Sequence, residues 1–258
     1  MSDDAVLVVE HDRVLTITIN RPEKRNAINQ AAKAIIRDAI QELETNDELR
    51  VGIITGAGTA AFSAGMDLAE AKAGIANRLG GADGGFAGFV RYPRTKPVIA
   101  AVNGAALGGG FELVLACDMV VAAPNAWFAL PEPSRGIIPG GGGAIRLPQQ
   151  LPKAIANDVL LAGGRLTAEV AERWGVVNRV IKAEELLDAA REIAASICAA
   201  APMAVAGTLA ISSTVRRSLE SAAWDINDAH VRLIRTTADA NEGATAFAEK
   251  RAPRWSGQ

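Results

Sequence analysis

Histidine and cysteine are both scarce in this sequence, with two of each in 258 residues. His11 falls in an expected hairpin turn and His230 in a polar helical stretch. A histidine-based nucleophile triad or a typical zinc site therefore lacks the nearby partners it needs, and no metal is expected. Cys117 lies in an apolar run and Cys198 in an alanine-rich one, so both read as small buried hydrophobes and not as a disulfide framework. An excess of positive charge is also missing. The formal net charge is −2 and no Lys/Arg cluster occurs, which argues against nucleic acid as a partner. No apolar run approaches the ~20 residues of a membrane span. The opening MSDDAVLVVE is acidic and lacks the basic-then-apolar order of a secretory signal. A cytoplasmic protein is the expectation.

What is present is apolar bulk and glycine. At 49% hydrophobic residues, 258 positions are enough for a large core. Residues 5–10 and 13–20 read as a β-hairpin turning at His11-Asp12, and 51–55 as a buried strand. Between them, Ile35, Ile36, Ala39, Ile40 and Leu43 recur at helical spacing over 31–43. Further strands are expected at 96–102, 119–123, 127–130 and 176–181. Helices are expected at 111–117, 154–161 and 168–174, with a short one over 144–152 stopped by proline. From 183 to 247 only amphipathic, alanine-rich helices appear. The composition thus shifts from mixed α/β to all-α near residue 200, which sets domain expectations of 1–200 and 201–258. Residues 74–90, rich in Gly and Ala without periodicity, read as a mobile lid or poorly ordered loop.

The chemistry concentrates in 103–118, NGAALGGGFELVLACD. Gly108, Gly109 and Gly110 let a ligand approach backbone N–H groups just where a helix begins. Such a terminus suits an anion or a carbonyl oxygen gaining charge. Glu112 follows within one turn. A dinucleotide fingerprint is absent, because the position after Gly108 and Gly110 that should be glycine is Leu113. A serine hydrolase is excluded too, since Ser63 and Ser134 lack the G-x-S-x-G setting and a placed base. A second carboxylate, Glu132, sits between Pro131 and Pro133, and Pro133 favours an extended backbone before it. Asp67, after Gly65, is placed to cap a following helix.

Together, NRPEKRNAIN (20–29), GAGTAAFSAGMDL (56–68), NGAALGGGFELVLACD (103–118), FALPEPSRGIIPGGGG (128–143), AERWGVVNRVI (171–181) and GATAFAEKRAPRW (243–255) resemble the crotonase, or enoyl-CoA hydratase, superfamily over nearly the whole chain. The resemblance implies a spiral of ββα units with a helical C-terminal region that assembles trimers, often paired into hexamers. It also implies an acyl-CoA substrate with no separate cofactor. The N–H groups of Met66 and Gly109 would form an oxyanion hole. Arg25, Ala27, Ala64, Gly65, Asp67, Leu68, Gly108 and Pro131 would contact the substrate. With both glutamates present, the implied reaction is reversible hydration of an enoyl-CoA, Glu112 acting as the water-activating base and Glu132 as the proton donor. FALPE, RLPQQLP and ERWGVVNRV also look like carnitinyl-CoA dehydratases. An isomerase and a non-catalytic acyl-CoA binder are the remaining readings.

Overall fold

The computed structural model describes residues 4–67, 70 and 84–258. It opens with β1 (Val6–His11) and β2 (Val14–Ile19), an antiparallel hairpin. Its two-residue turn is Asp12-Arg13, one position later than expected. Both residues have positive φ, 49° and 67°, as the right-handed twist of a tight hairpin demands. Helix α1 (Gln30–Thr45) follows, capped by the Asn29 side chain, which accepts the Ala32 N–H at 2.9 Å. Ile36, Ala39, Ile40 and Leu43 are buried on one face of α1, as their spacing predicts.

Successive strands then alternate between two sheets. β3 (Val51–Gly56), β5 (Val98–Val102) and β7 (Met119–Ala122) join the hairpin in a sheet of order β1-β2-β3-β5-β7-β10, where β10 is Arg179–Val180. After each of the three central strands the chain crosses to a smaller sheet. There it adds β4 (Ala61–Ser63), β6 (Ala105–Leu107) and β8 (Trp127–Ala129), and β9 (Leu166–Thr167) completes the order β4-β6-β8-β9. This repeated step from one sheet to the other, punctuated by helices, is the ββα spiral of a crotonase fold. β3, β5 and most of β7 are buried on both faces, as parallel strands covered on both sides must be. Along them the side chains part company at period two. Ile54, Val98, Ala100 and Val102 face α1 and the smaller sheet, whereas Ile53, Ile99 and Ala101 face α6 (Leu186–Cys198). Ala190 and Ala194 of α6 lie fully buried against the sheet.

Helix α2 (Gly109–Leu115) leaves β6, and α3 (Gly143–Gln150), α4 (Lys153–Asn157) and α5 (Ala168–Arg173) follow β8. The C-terminal part is α7 (Pro202–Ile234) and α8 (Ala238–Glu249). Several elements depart from the sequence reading. The expected helix over 154–161 breaks into α4 and a π-turn at Asp158–Ala162, and the last strand shrinks to two residues. Helix α3 runs through Pro148 and stops at Gln150, because Leu151 before Pro152 is forced extended. Of the loop expected at 74–90, residues 74–83 lie outside the described residues. The part 84–90 is packed instead: Phe86–Gly88 forms a 3-10 turn, with Phe86, Phe89 and Val90 buried. A Cβ on Gly88 would come within 2.6 Å of Arg37 Cβ on α1, so this turn is pressed tightly against that helix.

Candidate active site

Three parallel strands of the small sheet end side by side. β4 pairs with β6 and β6 with β8, so the residues just beyond their carboxyl ends, 64–67, 108–109 and 131–132, become neighbours despite wide separation in sequence. Sites in α/β folds favour such strand ends. Gly65, at φ +84°, packs so closely that a Cβ there would lie 2.9 Å from Leu107 O and 3.0 Å from Gly109 N. Two nearby amides are occupied: Ala64 N–H donates to Arg25 O and Asp67 N–H to Ile28 O, both at 2.9 Å. Among the described residues, the Met66 and Gly109 N–H groups have no acceptor. Gly109 is the first residue of α2, where helical geometry leaves N–H groups unpaired.

Gly108 has φ +54° and ψ −126°, a conformation that is essentially glycine's own, and its N–H is held by Ala129 O at 2.9 Å. The Glu132 carboxyl rests against it: a Cβ on Gly108 would stand 2.8 Å from Glu132 Oε1. Glu132 does not take the extended backbone expected before Pro133. It begins a 3-10 turn, Glu132–Arg135, in whose first turn the missing proline N–H costs no hydrogen bond, and Pro131 precedes it as the cap. Glu112 lies one turn into α2, 3% exposed, and its Oε1 accepts the Gly143 N–H at 2.8 Å. A Cβ on Gly141 would sit 2.5 Å from Glu112 Oε2. The glycines at 140–143 thus bring the backbone against this carboxylate.

The two acids differ in how their burial is compensated. Loss of hydration raises Glu112 to about 7, against which the Gly143 and Gly141 N–H groups and the Arg146 guanidinium favour its charged form. Glu132 is raised as well, to about 8, first by burial and then by the charge of Glu112. Its Oε2 is buried with no hydrogen-bond partner among the described residues. Between them, Glu112 is the carboxyl better suited to carry charge and Glu132 the one better suited to hold a proton.

This arrangement makes stability depend on pH. Both groups bind protons more tightly in the folded than in the unfolded chain, whose carboxyls titrate near 4.5. From there up to about 8 the native state holds protons that the unfolded chain has released, so stability falls as pH rises across that window. Glu132→Gln is accordingly expected to raise Tm over wild type by roughly 5 °C at pH 9 and by little at pH 4. A thermal melt showing equal gains at both pH values would contradict the assignment.

The other residues singled out from sequence fall beside this centre. Arg25 and Ala27 run along 64–67, joined by the Ala64 bond and by the bridge between Ile28 and Met66. Asp67 pairs with Arg21 at 2.9 Å. Leu68 lies outside the described residues. Four contributors escaped the sequence reading. Phe86 packs on Gly109, where a Cβ would come within 2.5 Å of its ring. Gly141 and Gly143 support Glu112, and Arg146 supplies the buried cation behind them. The run of four glycines at 140–143 was the available signal for the second pair. Phe86 sits in a segment without periodicity and had none. Among the described residues no cluster of three or more His, Cys, Asp or Glu side chains could hold a metal ion.

Two buried carboxyls and two N–H groups without an acceptor among the described residues are gathered at parallel strand ends, an arrangement that could exchange protons and receive the oxygen of a ligand. A family model described as Enoyl-CoA hydratase/isomerase matches residues 10–258, and the chain belongs to that family. Carnitinyl-CoA dehydratase from Salmonella arizonae is 46% identical over 259 residues, covering 98% of this chain and 99% of the relative. Among solved structures, carnitinyl-CoA hydratase from Mycobacterium avium superposes with a TM-score of 0.93 at 38% identity, over the full length of both chains. Enoyl-CoA hydratase EchA1 from Mycobacterium marinum is 44% identical with a TM-score of 0.78, over 99% of this chain and 100% of that one.

Proposed function

We propose that the protein catalyses reversible hydration of an enoyl-CoA thioester, using Glu112 as base, Glu132 as acid and the Met66 and Gly109 N–H groups as the oxyanion hole. The observation that carries this is the unequal pair of buried carboxyls. Adding water across an α,β double bond requires one group to take a proton from water as its oxygen bonds to Cβ. A second group must deliver a proton to Cα. Glu112, whose carboxylate accepts the Gly143 N–H, is set up to carry charge, and Glu132, whose Oε2 is buried with no hydrogen-bond partner among the described residues, to hold a proton, which matches those two roles. As oxygen adds at Cβ, the π electrons move onto the thioester oxygen, and the two N–H groups stabilise that enolate by about 3 kcal/mol each. Collapse of the enolate takes the proton from Glu132 at Cα. Dehydration runs the same steps backwards with the labels exchanged. No cofactor beyond the substrate's own CoA takes part.

A narrower reading, a substrate such as crotonobetainyl-CoA or another short polar acyl chain, is favoured by the carnitinyl-CoA dehydratases at 46% identity. The M. avium structures named carnitinyl-CoA hydratase and carnitinyl-CoA dehydratase, with TM-scores of 0.93 and 0.91, support the same reading. The test of both is a hydration assay over short, long, aromatic and crotonobetainyl enoyl-CoA thioesters. Preference for the crotonobetainyl compound selects the second reading, and no turnover of any removes both.

The proposal extends to assembly in the cytoplasm as a homotrimer or a dimer of trimers, with 201–258 as the oligomerisation region. Met203, Ile211, Val215 and Leu233 of α7 are all more than 60% exposed, more apolar surface than a solvated helix ordinarily shows. Light scattering at micromolar concentration is expected to give a trimer or a multiple of it, and a monomer would count against the assignment.

A further inference from the structure

We infer that α7 is also a positioning element for the active site of its own chain, with Asn227, Val231 and Trp224 holding residues 140–143 against the Glu112 carboxylate from behind. This rests on Glu112 being the base. The glycine run is sandwiched. On one face it meets Glu112, through the Gly143 N–H and the close approach of Gly141. On the other it meets α7: Asn227 Nδ2 donates to Gly140 O at 3.1 Å, and a Cβ on Gly140 would come within 2.8 Å of Val231 Cγ2. A Cβ on Gly142, at φ +107°, would lie 2.9 Å from the Trp224 ring and 2.8 Å from Arg146 Nη1. Below the run, Arg146 bonds the Val90 carbonyl at 2.8 Å and meets buried Glu220 at 3.3 Å, while Trp224 Nε1 donates to the same carboxylate. Asn227 and Glu220 are 7% and 5% exposed. A helix that served assembly alone would have no reason to bury two polar side chains under a catalytic loop.

The charged groups around Glu112 are Arg146 from α3 and Glu132 from the 3-10 turn, with Glu220 of α7 behind Arg146. Loosening the glycine run withdraws N–H groups that favour ionised Glu112, so the base needs a higher pH to ionise. Asn227→Leu removes the bond to Gly140 at similar size, and Val231→Ala removes the packing without touching any polar group. Each is expected to lower kcat about 10-fold, Asn227→Leu through one lost hydrogen bond and Val231→Ala through lost packing of similar worth. Each should leave KM within about twofold and move the acid limb of the kcat profile upward by about half a pH unit. Amide exchange at 140–143 should quicken about 10-fold in both. Ser221→Ala, a polar and exposed position on the same helix, should match wild type throughout. If Asn227→Leu fails to fold, Val231→Ala decides. Wild-type kcat, acid limb and amide exchange in the folded variants overturn the inference, as does an equal loss in Ser221→Ala. Glu112→Gln tests the underlying reading separately, and should wild type hydrate nothing, the exchange rates still decide whether α7 holds the run.

Discussion

Glu132→Gln is expected to lower kcat by ~10² to 10⁴ while the thioester still binds, and Glu112→Gln to do the same. Glutamine keeps the size and one acceptor of the carboxyl but cannot exchange a proton. The physical settings of the two sites give the losses different origins. Glu112 is held by the Gly143 N–H, to which a glutamine carbonyl can still accept, so its loss is of basicity with geometry kept. Glu132 rests Oε1 against Gly108 and buries Oε2 without a hydrogen-bond partner among the described residues, so its variant loses only the proton it would have delivered. Because both act on one water and one substrate, the double variant should fall far short of the product of the single losses. An isomerase working through one carboxyl gives another pattern, one substitution severe and the other mild. Steady-state kinetics on the three variants separate the two cases.

Gly109→Pro is expected to abolish turnover, since it deletes an N–H assigned to the oxyanion, where a single donor is worth ~10² to 10³ in rate. Crowding adds a second effect, because any side-chain carbon at 109 meets the Phe86 ring. Repeating the substitution in a Phe86→Ala background relieves the collision and leaves the missing donor, so the loss should persist. Met66→Ala should cost far less, its contribution being backbone. Comparable kcat losses in Met66→Ala and Gly109→Pro, both folded, would count against the hole as assigned.

Much of this architecture was legible from residues alone where periodicity was strong. The α1 stripe, the hairpin and the buried parallel strands all follow from spacing. The small sheet did not show itself, because β4, β6 and β9 are two or three residues long and carry no alternation to detect. Yet that sheet is what makes Gly65, Gly109 and Glu132 neighbours. The family's motifs named those residues, and the strand pairing supplies the reason they meet. Phe86 and Arg146 were invisible for a different cause: their roles exist only through contacts across long sequence separation, with Gly109 in one case and with Glu220 on α7 in the other. The extended backbone that Pro133 favours at Glu132 gives way to a 3-10 turn, whose first turn accommodates the proline.

The central claim is that water is added to the substrate by the two carboxyls acting together. It is met most directly by hydrating an enoyl-CoA in ¹⁸O-labelled water with wild type, Glu112→Gln and Glu132→Gln. One labelled oxygen is expected at Cβ of the wild-type product, with label incorporation slowed ~10² to 10⁴-fold in each variant. No label with any enoyl-CoA, or near-full hydration by Glu132→Gln, would contradict it.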